Sequence, residues 1–158
     1  MTIIVVLVIA LAATLGPINL PAGAADISVC SLDVDVVISP GLSFTPTTAT
    51  YTGEGGTISC GGGTSLGTVG PLSAAGVVGL FGGATCSQGI GGGTFTWGER
   101  TVDSTFTWLG NRGSLGGAAM SGTFHLAAIG SDCHAGPVTR AHLHSLAMIS
   151  DTVPPAEE

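Results

Sequence analysis

The sequence predicts an all-β domain, a single antiparallel β-sandwich or small β-barrel of about seven or more short strands, stapled by disulfides. Three observations lead there. Apolar and polar residues alternate over short runs bounded by Gly or Pro, which is the period of a half-buried strand. Almost no stretch beyond the amino terminus has the spacing of an amphipathic helix. Cys30, Cys60, Cys86 and Cys133 are an even number of widely spaced cysteines in a chain that reads as exported.

Export is read from the first residues. Ile3 to Ala13 is unbroken apolar sequence, followed by Gly16, Pro17 and Pro21, then Ala22-Gly23-Ala24-Ala25 before the first charge at Asp26. This is the layout of a signal peptide over residues 1–25, although no Lys or Arg precedes its apolar core. The run is short of the roughly 20 residues that cross a bilayer, and its prolines interrupt it, so no stable membrane insertion is expected after cleavage. Residues 26–150 are enough for one all-β domain, and Asp151 to Glu158 reads as a loose acidic tail.

The strands follow in order. Ile27 to Leu32 and Val34 to Ile38 form a first region closed by Ser39-Pro40-Gly41, and Ala49 to Gly53 with Gly56 to Cys60 form a second. The Gly-punctuated stretch from Gly67 to Gly83 reads as one or two loose strands around Leu80 and Phe81. The clearest signal is the repeat Thr94-Phe95-Thr96-Trp97 and Thr105-Phe106-Thr107-Trp108, whose charged connection suits a hairpin. Alternation then turns the four aromatics to the core and the threonines outward. After a loop at Gly110 to Gly113 come strands at Gly122 to Ile129 and Val138 to Ile149. A barrel would remove the edges that a Thr- and Val-rich sheet exposes, but alternation alone does not separate barrel from sandwich.

The four cysteines lack the C-x-x-C spacing of zinc or redox sites, so they are expected in two disulfides. Loop length favours Cys60 with Cys86 and Cys30 with Cys133 among the three possible pairings.

The order of elements resembles a group of small secreted Gly/Thr-rich β proteins of actinobacteria. The likeness is carried by a leader, Ile38-Ser39-Pro40-Gly41-Leu42-Ser43-Phe44-Thr45-Pro46, Tyr51-Thr52-Gly53, Gly56-Thr57-Ile58-Ser59-Cys60 and Thr85-Cys86. It continues through Gly92-Gly93-Thr94-Phe95-Thr96-Trp97, Ser121-Gly122-Thr123-Phe124 and Asp132-Cys133. The resemblance implies export and a β fold and transfers no catalytic residue, because such proteins have no assigned activity. Arg140, His142 and His144 depart from the Ser/Thr/Val strand usual at that place.

With Lys+Arg 3 against Asp+Glu 10, the net charge of −7 disfavours nucleic acid and anionic membrane surfaces as partners. His142 and His144 share a strand face and, with His125, His134 or Asp132, form a candidate metal set, opposed by Arg140 on the same face. The carboxylate pairs Asp33/Asp35 and Glu99/Asp103 fall at a strand start and in a turn, where charge is ordinary. Gly61 to Gly63 and Gly89 to Gly93 read as turn glycine, since no helix follows to make a phosphate cradle. The expectation is a non-enzymatic structural or interaction protein of the cell envelope or extracellular space, without catalytic residues, metal or cofactor. The alternative is a carbohydrate- or metal-binding module using the Trp97/Trp108 hairpin or the His142/His144 face.

Overall fold

A computed structural model describes residues 27–61 and 69–150. The expected signal peptide, 1–25, and the expected acidic tail, 151–158, lie outside the described residues. The strands are β1 (Ile27–Leu42), β2 (Ala49–Gly61), β3 (Val69–Val78), β4 (Gln88–Trp97), β5 (Arg100–Leu109), β6 (Arg112–Gly116), β7 (Met120–Ala128) and β8 (Val138–Ser150). Each pairs antiparallel with its neighbours in the chain, and β1 pairs with β8, so the sheet closes into an up-and-down barrel. Closure settles sandwich against barrel and leaves the sheet without an edge.

Alternation was the right guide to the wall. In β1 the residues Cys30, Leu32, Val34, Val36 and Ile38 are buried, while Val29, Asp35 and Val37 are exposed. The strand continues through Ser39-Pro40-Gly41 to Leu42 rather than stopping there. The two halves expected of β2 are one strand with a bulge. Asp33 pairs with Thr57 and Val36 with Gly53, which leaves one extra residue on β2 near Gly55, whose φ of 71° suits glycine.

The repeated tetrapeptides form the β4–β5 hairpin, with Trp97 opposite Arg100 and only Gly98 and Glu99 in the turn. Gly98 has φ 57° and Gly110, in the two-residue β5–β6 turn, φ 64°, as primed hairpin turns require. Phe95, Trp97 and Trp108 are buried and Phe106 packs against the core, as the alternation predicts.

Four further expectations are corrected. Leu80 and Phe81 are not strand residues: β3 ends at Val78, and both are exposed in the β3–β4 connection. Arg112 and Gly113 belong to β6 rather than to a loop. Gly89 to Gly93 is not a turn but the body of β4. The disulfides are Cys30–Cys60 and Cys86–Cys133, not Cys60–Cys86 and Cys30–Cys133. Strand register decides the first pair, since Cys30 lies directly opposite Cys60 on β1 and β2. The second joins the β3–β4 and β7–β8 connections.

The glycines of β4 have a role inside the barrel. Trp108 faces Gly89 and Phe106 faces Gly91 across β4–β5, Phe124 faces Gly113 across β6–β7, and Tyr51 faces Gly76 across β2–β3. A Cβ on any of these glycines would strike the aromatic opposite. Large rings on one strand therefore fill the space left by glycine on the next, which keeps the wall closely packed without doubling its bulk.

Candidate ligand site at the open end of the barrel

Up-and-down connectivity sends the β1–β2, β3–β4, β5–β6 and β7–β8 connections to one end of the barrel. The opposite half is filled: Leu32, Leu72, Phe95, Met120 and Ile149 there are among the largest fully buried side chains. The loop-bearing half is hollow. A cavity of about 50 Å³ is lined by residues such as Val36, Tyr51, Phe106, Phe124 and Leu143. A second, of about 230 Å³, lies towards the mouth beside Cys86, Asn111, Ala128, Cys133 and Val138. Ile38, Leu42, Trp108 and Leu126 line both, so the two hollows adjoin and form a cup, apolar in its inner part and bordered by Asn111 and Asp132 at the mouth.

The mouth is braced. Thr47 N donates to Ala84 O at 3.0 Å and Ala84 N to Thr47 O at 2.7 Å, while Cys86 N donates to Ser43 O at 2.9 Å. Those bonds join two of the loops, and the Cys86–Cys133 disulfide ties in a third. Around this end stand exposed apolar side chains, with Phe81 76% and Leu109 74% accessible and Phe44 and Leu80 about half exposed. Apolar residues at loop tips beside an apolar hollow are a recognised mark of a binding end.

The wall of the cup contains a polar atom that the fold does not use. Tyr51 is only 6% accessible, and its hydroxyl has no hydrogen-bond partner. Burial pushes its ionisation well above the ordinary tyrosine range, so it stays a neutral donor. An unpartnered buried hydroxyl costs on the order of 1–3 kcal/mol. Ser104 Oγ and Trp97 Nε1 are likewise buried without partners. Neither Trp97 nor Ser104 lines the hollow.

The residues singled out from sequence are placed elsewhere. Trp97 and Trp108, 5% and 6% accessible, face the interior, so neither indole presents a surface for stacking on sugar rings. The outward threonines bond locally, Thr96 with Thr101 at 3.2 Å and Thr107 with Ser114 at 3.1 Å. His142 and His144 do share the outer face of β8, where each meets a carboxylate of β1. His142 Nδ1 lies 2.7 Å from Asp35 Oδ1 and His144 Nδ1 2.7 Å from Asp33 Oδ1. His125 stands opposite His144 on β7. His134 and Asp132 are instead in the β7–β8 connection, where Asp132 Oδ1 accepts from the backbone N–H of Ala135 and His134. Among the described residues, no group of three His, Cys, Asp or Glu side chains is placed to hold a metal ion. Glu99 sits in the hairpin turn and Asp103 outward on β5, both exposed.

Partial burial tends to raise the Asp33 carboxyl, but the hydrogen bond with His144 and the charges of His144 and His142 outweigh it and hold the group below its ordinary value. A lowered native value contributes stability above the unfolded-state value, about 3.9, which is lost as pH falls through the native one. The pair is solvent-exposed and screened, so the contribution is below about 1 kcal/mol. Asp33→Asn is expected to flatten the acid limb of unfolding free energy against pH below about pH 5. An unchanged limb would remove this role.

Comparison with protein-family models, curated proteins and solved structures finds no match.

Proposed function

We propose that the chain is an exported, non-enzymatic binding protein of the extracellular space or cell envelope that holds a small apolar molecule in the open end of its barrel. The observation that carries this reading is the pair of adjoining, largely apolar hollows between Tyr51 and Phe106 inside and Cys86 and Cys133 at the mouth. Ligand sites are typically such concave, largely apolar hollows with few polar groups, and the mouths of β-barrels are a favoured place for them. The two disulfides fit an oxidising compartment. Asp33, Asp35, Thr105, Thr107 and His144 give the barrel an outward face suited to water, and no helix among the described residues is long and apolar enough to cross a membrane. Asp33, Asp35, His142 and His144 lie on the outer wall, and of the candidate acids and bases Asp132 alone lines the outer hollow, at its mouth, which favours binding over catalysis.

The test is titration of the disulfide-bonded protein with ethylbenzene, followed by amide and indole NMR shifts. Saturable shifts are expected at Trp108, Leu126 and neighbouring mouth residues. A saturating ligand also stabilises by mass action, about 2.7 kcal/mol at a hundred times the dissociation constant, and so raises the melting temperature. Ala128→Phe, at the exposed rim of the outer cavity, is expected to weaken the binding. Absence of saturable shifts, or binding indifferent to the filled rim, would remove the proposal.

A further inference from the structure

The longer connections at the mouth differ from the rest of this acidic chain in what they expose. Of the Phe, Trp and Tyr side chains only Phe44 and Phe81 lie outside the core, and both are on these connections, 56% and 76% accessible. Phe44 rests its ring against that of His134, and Leu109 closes β5 at the same rim. Phe81 sits at the tip of a turn built to project it. Gly79, Gly82 and Gly83 take φ of 83°, 83° and 84° around it, a conformation that suits glycine. At the base Thr48 Oγ1 donates to Gly79 O at 3.2 Å and Gly79 N to Ile90 O at 2.8 Å, beside the paired Thr47 and Ala84. The turn is braced, while the ring at its tip contributes little to packing. An apolar ring held out into water by an ordered turn is a contact surface rather than a piece of core.

Charge is divided along the barrel axis in the opposite sense. Among the described residues Asp33, Asp35, Glu54 and Asp103 stand partway along strands, and Glu99 is in the β4–β5 turn at the filled pole. Asp132 alone lies in a mouth connection, and its carboxylate is turned back on the backbone N–H groups of His134 and Ala135. Two arginines stand at the rim, where Arg112 opens β6 and Arg140 is the third residue of β8. Neither has a carboxylate opposite it, since Arg112 pairs with Leu109 and His125, and Arg140 with Val37. The end that presents phenylalanine and leucine is therefore also the end where cations outnumber carboxylates.

We infer that the open end of the barrel docks on a zwitterionic lipid bilayer, with Phe44, Phe81 and Leu109 just below the headgroups and Arg112 and Arg140 at the level of the phosphates. Apolar side chains at the boundary of headgroups and acyl chains, with cations beside lipid phosphates, are what hold peripheral proteins to such surfaces. The net charge of −7 makes a zwitterionic surface the better fit than an anionic one. A second copy of the chain is the poorer occupant, because contact mouth to mouth sets the arginines of both copies around one ring. Docking stands on these surface residues and not on the ligand reading. It does open the cup onto the acyl chains, so that an apolar ligand enters without crossing water.

The test is flotation of the exported, disulfide-bonded protein with phosphatidylcholine vesicles. The wild type is expected to float with them, and Phe81→Ala to lower the partition coefficient about tenfold, for partial burial of one phenylalanine ring. Met148→Ser trims an exposed apolar side chain near the filled pole and should leave partition unchanged. Phe81→Trp should gain fluorescence that phosphatidylcholine brominated on its acyl chains quenches, over the wild-type signal of the buried Trp97 and Trp108. Because Phe81 is exposed, its variants are expected to melt with the wild type. Absence of the wild type from the floating fraction, or equal losses in Phe81→Ala and Met148→Ser, would overturn docking through this end. So would flotation indifferent to Phe81→Ala, which is what attachment through an uncleaved leader predicts. A dimer in vesicle-free solution that Phe81→Ala dissolves would assign the surface to a second copy instead. Ethylbenzene titration without vesicles decides the cup separately, since either result can fail while the other stands.

Discussion

Replacing Cys86 and Cys133 together by alanine is expected to lower the unfolding free energy by about 4 kcal/mol, from the loop-closure entropy released across their sequence separation of 47 residues. The loss is measured by denaturant unfolding under oxidising conditions, with the Cys30/Cys60 double variant alongside. That pair closes a separation of 30 residues and should cost about 3.5 kcal/mol on the same reasoning. The two losses should differ in character. Cys30 and Cys60 face each other on paired strands in the filled half, where register already holds them together. Cys86 and Cys133 join connections otherwise held by few hydrogen bonds, so their removal should also loosen the mouth and weaken ethylbenzene binding. A loss under about 1 kcal/mol for Cys86/Cys133 would mean that the loops are braced by other contacts.

Gly93→Ala is the second substitution expected to act strongly, at about 3 kcal/mol, the upper end of what overpacking usually costs. A Cβ there would run into the carbonyl oxygen of Ala75, the Tyr51 hydroxyl and the Gly76 Cα. The first and last are backbone of a paired strand, which moves only if the β3–β4 ladder opens. The Tyr51 hydroxyl can be removed, so Gly93→Ala in a Tyr51→Phe background should recover a minor part of the loss. Gly92→Ala, one residue along and facing outward, has no contact closer than 3.5 Å and serves as the control. Equal effects at 92 and 93, read by thermal and denaturant unfolding, would show that loss of glycine flexibility matters rather than the inner contact.

This contrast explains what could be read from the sequence. Where side chains alternate by polarity, as in β1, β5 and β8, the strands were legible because one face is buried and the other wet. In β4 the inward positions 89, 91 and 93 are glycines, and the apolar surface that completes them belongs to Tyr51, Phe106 and Trp108 on other strands. A pattern held jointly by two strands leaves little trace in either, so Gly89 to Gly93 looked like a turn. β6 was missed because it is short and begins Arg112-Gly113. Barrel closure depends on β1 meeting β8, a contact between distant segments, and the Cys30–Cys60 bridge depends on the β1–β2 register.

The candidate site was less legible still. His142 and His144 do lie on one outward face, but their Nδ1 atoms are engaged by Asp35 and Asp33, a pairing that requires knowing β1 lies beside β8. The tryptophans were correctly expected in the core. The cup itself has no motif, since it arises from the spacing between strands. The available clue was Tyr51, the only tyrosine in the chain, in phase with buried Ala49 on an inward face where its hydroxyl has no use in packing.

Closure of β1 on β8 also sets an orientation. Ile27 pairs with Ser150, which places both strand ends at the filled pole of the barrel, a full strand length from the loops around the mouth. A carrier, a fluorescent protein or a solid support joined next to either residue would hold the molecule by its blind end and present the binding end to the surroundings. Immobilised that way, the protein should keep its full capacity for ligand, whereas attachment through the loop bearing Phe81 should obstruct it.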